Sequence, residues 1–288
     1  MLRPMPALRR TKARSTKTRR SARRRDQPAL LDTPHLRLVR APRVPTTTGP
    51  MPRQISVATY NVHRWTGFSG RAAPDAARAG FVISELGADV IGLQEVLCPF
   101  EGDDPLVRLA DALGLHLAFA VTRVHRRGQL GNAILSRWPI RGAEVLDISS
   151  SRIERRVAVA TSIDDLTGGP GLNVLATHMS LVDRTRRRQV DLLLEHPQLR
   201  AGPSVLLGDM NAWRRDRASR RLERAHDQHH NREWPASYPA VRPVLALDRI
   251  YTRGARTLEV EAHDSVAARR ASDHLPIVAR LRLPAEDF

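Results

Sequence analysis

From Gln54 onward the chain alternates short apolar runs with segments of helical period, and turn residues separate them. The runs predict strands at Ile55–Tyr60, Val90–Gln94, Asn132–Ser136, Val157–Ile163, Leu172–Thr177, Val205–Gly208, Ala246–Tyr251 and Pro276–Leu281. Spacing and caps predict three helices. Asp75 to Leu86 places Ala77, Phe81, Val82 and Leu86 on one face. Asp104 to Gly114 combines an N-cap aspartate, a first-turn proline, Leu106, Leu109, Ala110 and Leu113 at helical spacing, and a closing glycine. Asp183 to His196 turns Val190, Leu193 and Leu194 inward and an arginine-rich face outward. Strands mixed with helices in this way predict one large α/β domain over residues 54–284. The stretch from Trp213 to Pro243 reads as an irregular loop.

The segment before Gln54 differs in kind. Its first 50 residues hold 7 prolines, no aromatic residue and basic runs such as Arg23-Arg24-Arg25, which predicts a disordered basic tail over residues 1–53. Residues 285–288 are a short C-terminal end. The formal net charge is +17, yet residues 1–53 carry 15 Lys+Arg against 2 Asp+Glu, so the rest is only mildly basic. The argument for nucleic acid or an anionic membrane as partner therefore applies to the tail alone. One cysteine excludes a disulfide scaffold. No apolar run approaches the roughly 18 to 20 residues of a membrane span, and Thr11 to Gln27 lacks the apolar stretch of a secretory signal, so a cytoplasmic monomer is expected. The tail's composition also resembles an organelle transit peptide.

Polar residues collect where apolar strands end, the places where rigid elements can hold reactive groups. These are Tyr60-Asn61-Val62-His63, Gln94-Glu95, Thr177-His178, Gly208-Asp209-Met210-Asn211 and Ser272-Asp273-His274, with Asp248 inside a strand-like run. Carboxylates, amides and imidazoles without thiolates suit a hard ion such as Mg²⁺, with Mn²⁺ as a substitute, rather than structural zinc. The same groups offer a base for water, an amide to orient it and an imidazolium to stabilise phosphoryl charge.

The order of these motifs from about Ile55 to Leu281 resembles the endonuclease/exonuclease/phosphatase superfamily. Its most specific pieces here are Leu207-Gly208-Asp209-Met210-Asn211 and Ser272-Asp273-His274-Leu275-Pro276, preceded by Gln94-Glu95. The resemblance implies an α+β, deoxyribonuclease I-like four-layer sandwich of two packed mixed sheets flanked by helices. It implies that Glu95 ligates the divalent ion, with Asn61 at the metal and phosphate edge and Asp273 at a second metal or supporting the loop. Asp209 would polarise the attacking water, Asn211 would orient the phosphate, and His274, held by Asp248, would contact a phosphate oxygen. His178 would bind phosphate or assist the leaving group. The implied activity is Mg²⁺-dependent hydrolysis of a phosphodiester by direct attack of water. A non-catalytic nucleic-acid or membrane adaptor using the basic tail is the alternative.

The departures bear on substrate. Gln94-Glu95-Val96-Leu97 and Gly131–Arg137 replace the second and mid-chain motifs of abasic-site endonucleases, and with Ser237–Tyr251 they look most like a compact bacterial subgroup. DNA, RNA, phospholipid and inositol phosphate all stay open. Other features read blandly: His226, His229 and His230 as a polar loop, Cys98 as packing, and Arg184, Arg186, Arg187 and Arg188 as a solvated helix face.

Overall fold

The computed structural model describes residues 33–47, 49–169, 171–226 and 233–284. Twelve strands among them form two sheets. The first has the order β1(His35–Arg40), β4(His116–His125), β5(Gly128–Ser136), β3(Val90–Pro99), β2(Gln54–Asn61), β12(Ile277–Arg282), β11(Arg256–Ala262). The second runs β10(Asp248–Arg253), β9(Ser204–Asp209), β8(Leu172–His178), β7(Val157–Ile163), β6(Ile140–Asp147). Pairs β2/β3 and β8/β9 are parallel, and every other neighbour pair is antiparallel, so both sheets are mixed.

Three apolar clusters define four layers. Val57, Val90, Ile134 and Ile277 of the first sheet meet Val159, Val174, Leu207 and Ile250 of the second in the central core. Strand residues buried on both faces give the continuous apolar runs seen in the sequence. The outer face of the first sheet is covered by α1(Ala76–Leu86), α2(Pro105–Leu113) and α6(Ala268–Ala271). The outer face of the second is covered by α3(Asp183–Glu195), α4(Pro197–Arg200) and α5(Arg217–Ala225). The expected four-layer sandwich is present. Among the described residues no helix is long and apolar enough to cross a membrane.

Capping chemistry sets the helix ends as expected. Asp75 and Asp104 accept the N–H groups of Ala77 and Leu106, and Gly87 and Gly114 close their helices in the left-handed region.

Several expectations are corrected. Folded chain begins before Gln54: β1 pairs with β4, Arg37 and Arg40 form ion pairs with Asp104 and Asp111 at 2.9 and 2.7 Å, and Met51 N–H donates to Asp165. These arginines meet carboxylates instead of repelling one another, so of the predicted tail only residues 1–32 and Thr48 lie outside the described residues. Residues 285–288, His229 and His230 lie outside them as well. On α1 the buried residues are Ala79, Val82 and Ile83, while Ala77 and Phe81 face solvent. Arg186 is not on a solvated face: it is buried and bound to Asp216 at 2.6 Å. The predicted loop after Trp213 contains α5, whose N-cap is Asp216.

Candidate active site

Topology explains why motifs 200 residues apart in sequence share one end of the sandwich. Strand β2 ends at Asn61, and its antiparallel neighbour β12 begins just after His274, with Ile277 opposite Thr59. Parallel β8 and β9 end side by side, His178 opposite Asp209. Antiparallel β10 starts where β9 ends, Asp248 opposite Asp209. Glu95 sits at the irregularity between Leu93 and Val96 in the β3/β5 pairing, with φ of 53°, which re-aims a side chain that regular pleating would place elsewhere. The glycine of the Gly-Asp-Met-Asn run is also required: Gly208 has φ of 144°, and an added Cβ would collide with the Thr177 carbonyl oxygen.

Asp209 is the centre of the cluster. Its Oδ2 lies 3.1 Å from Asn61 Nδ2, 3.4 Å from His178 Nε2 and 3.8 Å from His274 Nε2. Its Oδ1 accepts the Asn211 N–H at 2.9 Å, and Asn211 itself sits at φ of 49° with its amide donating to the Met179 carbonyl. On the far side of His274, Nδ1 meets Asp248 Oδ2 at 2.7 Å. Asp248 Oδ2 also accepts the Ser237 hydroxyl at 2.6 Å, and Ser237 Oγ takes the Asp248 N–H. Tyr238 packs its ring 5.0 Å from that of His274.

Burial makes these charges interact strongly. Burial pushes the Asp209 carboxyl up to about 7, against the opposing pull of His274 and with the Asp248 charge adding to the rise. Burial alone would lower His274, but Asp248 and Asp209 outweigh it and raise the imidazole to about 10. His178 goes the other way: burial and then Arg156 hold it well below the ordinary histidine range. Two neighbouring imidazoles are thus assigned opposite states, His274 cationic and His178 neutral.

Asp209, Asp248 and His274 present three ligand atoms within 4.8 Å of one another, a grouping that could hold a metal ion. The short Nδ1–Asp248 hydrogen bond argues for a relay instead, because those two atoms already satisfy each other. A better-suited donor set stands beside it. Glu95 and Asp273 are partly open to solvent, and burial lifts the Asp273 carboxyl against the opposing pull of His274 and His63, with the Glu95 charge adding to the rise. Two neighbouring carboxylates, flanked by the Asn61 amide, fit a hard oxygen-seeking cation.

All eight predicted site residues, Asn61, Glu95, His178, Asp209, Asn211, Asp248, Asp273 and His274, lie at this end. The sequence reading left several neighbours without a role. His63 Nδ1 contacts Asp273 at 3.2 Å, Arg64 pairs with Glu95 at 3.3 Å, and Ser272 ties the Asn61 carbonyl to the His274 N–H. Arg156 was also missed. It precedes β7, and antiparallel pairing puts the start of β7 beside the end of β8, where His178 lies. The signal available was Arg155-Arg156 directly before an apolar run, a strand start rather than a strand end.

Comparison with known proteins supports the motif reading. The sequence pattern of the endonuclease/exonuclease/phosphatase family matches residues 58–274. The uncharacterized protein YbhP of Escherichia coli is 31% identical over 247 residues, covering 79% of this chain and 96% of YbhP. An endonuclease/exonuclease/phosphatase structure from Beutenbergia cavernae superposes with a TM-score of 0.65 at 24% identity, covering 81% of this chain and 72% of the other. A mannosyl-6-phosphatase of Bacteroides thetaiotaomicron gives 0.58 at 16% identity, covering 79% and 99%. With the motifs assembled at one end of the sandwich and the family pattern spanning them, this chain belongs to the endonuclease/exonuclease/phosphatase family, whose members are hydrolases of phosphoesters.

Proposed function

We propose that the protein is a divalent-metal-dependent phosphodiesterase that attacks phosphorus directly with water. The single observation carrying this reading is the buried Asp209 carboxylate, raised to about 7 between neutral His178 and cationic His274. A base with that affinity for protons is matched to neutral pH, where about half of it is carboxylate and a proton is accepted usefully. Asp209 takes a proton from water. His274, held by Asp248, places its positive charge where a phosphoryl oxygen gains negative charge, which is the larger part of such stabilisation. Asn61 and the Asn211 loop keep Asp209 oriented, and His178 supplies a neutral donor to the phosphate or its leaving oxygen. Glu95 and Asp273, with Asn61, would hold Mg²⁺, which supplies Lewis-acid polarisation of the phosphate when bound. A purely adaptor role would leave this costly buried cluster without a purpose.

The folded domain's modest charge leaves nucleic acid and smaller phosphodiesters as comparable substrates. Hydrolysis of bis(p-nitrophenyl) phosphate tests the reading: EDTA should abolish it and Mg²⁺ should restore it. Undiminished turnover after exhaustive chelation would overturn the metal assignment.

A further inference from the structure

Beside the cluster, and sharing His178 and Glu95 with it, lies a cleft of about 270 Å³. That is close to the lower end of small-ligand pockets, roughly 300 to 1,000 Å³, so it suits one compact group rather than a whole ligand. Three arginines line it, Arg123, Arg155 and Arg156. Arg123 comes from β4, is exposed and has no carboxylate within ion-pair distance among the described residues. Arg156, at the start of β7, is mostly buried: its side chain is 19% exposed, its Nε has no hydrogen-bond partner, and its one carboxylate contact among the described residues is Glu154 at 3.9 Å. Glu95, the other acid lining the cleft, is engaged by Arg64. Burial holds Arg156 below the ordinary arginine value, with Asp209 and Glu154 only partly offsetting the cost of keeping it charged.

A largely desolvated guanidinium with an unfilled donor, lining a small cleft together with a second one, is arranged for an oxyanion. Guanidinium geometry favours phosphate, which two arginines can grip through several parallel N–H donors. His178, one of the groups placed at the scissile phosphorus, lines the same cleft. We infer that Arg123 and Arg156 form a second phosphate subsite, so that the preferred substrate carries another phosphate group next to the phosphoester that is cleaved. The inference rests on the phosphoesterase reading and narrows its substrate class to compounds with two neighbouring phosphates, whether successive phosphates of a nucleic-acid backbone or those of a small bisphosphate.

Binding can be measured apart from turnover. Isothermal titration calorimetry of the full chain with adenosine 3′,5′-bisphosphate and adenosine 5′-monophosphate should show at least a tenfold preference for the bisphosphate. Arg123→Ala and Arg156→Gln should each reduce that preference below threefold, and because Arg123 is exposed its variant remains informative if the Arg156 change impairs folding. Equal affinity for the two nucleotides, or a preference that survives both substitutions, would overturn the subsite. A parallel kinetic arm compares kcat/KM for a thymidine dinucleotide with and without a 5′-phosphate, and inositol 1,4-bisphosphate is set against inositol 1-phosphate in the binding assay. A preference confined to nucleotides assigns the second phosphate to a nucleic-acid backbone, and one shared by inositols assigns it to any flanking phosphate. If the bisphosphate binds through Arg123 and Arg156 while no phosphoester is cleaved, the subsite stands and the hydrolytic reading fails.

Discussion

The segment from Asp209 to Asp216 joins two buried charge clusters, and they are built to opposite ends. One joins Arg186 to Asp216 at 2.6 Å, with the guanidinium also donating to the carbonyls of Ser180 and Leu181 and the carboxylate capping α5 through Ser219. Ser219 Oγ in turn accepts from Arg249, whose other nitrogen holds the Ala212 carbonyl. Here Arg186 and Asp216 neutralise each other, and the buried Arg249 is satisfied by neutral oxygens. Burial would raise Asp216, but the Arg186 hydrogen bond and those of Ser219 prevail and hold it at about 2. The other cluster sets two buried aspartates, Asp209 and Asp248, around a single cationic imidazole. It is left short of positive charge, and burial, with the Asp248 charge adding to it, lifts Asp209 to about 7. The first arrangement fixes the loop that follows Asp209; the second keeps a proton acceptor responsive near neutrality. Burial of charge therefore does not by itself mark a reactive site, whereas incomplete neutralisation beside an open cleft does.

The largest effect separating the two should come from the chemistry. Asp209→Asn and His274→Ala should each lower turnover on a model phosphodiester by about 10² to 10⁴, the range of acid–base and charge-stabilising groups. Asp209→Asn should leave urea stability equal or higher, since it removes a carboxylate that burial disfavours. A large stability loss with proportionate loss of activity would place Asp209 with the structural pair instead.

Arg186→Met should do the reverse. It strands Asp216 as a buried unpaired charge, for which about 3 to 5 kcal/mol of stability loss is typical, while molecules still folded keep most of their turnover. Urea unfolding and activity per folded molecule check the two halves separately.

Acidity should then sharpen the contrast. A carboxyl held down in the folded state contributes stability that is present above its unfolded value of about 3.9 and is lost as pH falls through its folded value. For Asp216 that loss runs from about 4 down through about 2, and Arg186→Met should flatten it. Asp209 has the opposite sign: its contribution to stability falls as pH rises from about 4 to about 7 and levels off above that. Unfolding free energies against pH for the wild type, Arg186→Met and Asp209→Asn should show these two windows separately.

The smallest effect concerns the relay. Asp248→Asn should act through His274, so the double change with His274→Ala should cost much less than the two single costs combined. Strict additivity of the two would break the pairing.

How far the sequence announced this depended on whether an interaction is local. Apolar strands such as Val157–Ile163, and helices with aspartate caps and glycine stops, are written in adjacent residues and were read within a residue or two. Strand His35–Arg40 was hidden by the prolines and arginines around it, because the carboxylates that neutralise those arginines lie some 70 positions later, at Asp104 and Asp111. Strands β4, β6 and β11 went unread beside stronger neighbours, and α5 was lost in a polar stretch whose helix is fixed by Asp216 and its distant partner Arg186. The site residues were legible because strand ends carry them as short motifs. Arg156 and Ser237 were not, since what makes them significant is the strand or loop packed against them.

The most direct measurement of the central claim is single-turnover hydrolysis of bis(p-nitrophenyl) phosphate with Mg²⁺ present, comparing wild type, Asp209→Asn and Arg186→Met at a pH where all three are folded. The account predicts a loss of at least a hundredfold for Asp209→Asn and of less than about fivefold per folded molecule for Arg186→Met. Equal losses, or wild-type turnover retained by Asp209→Asn, would contradict it.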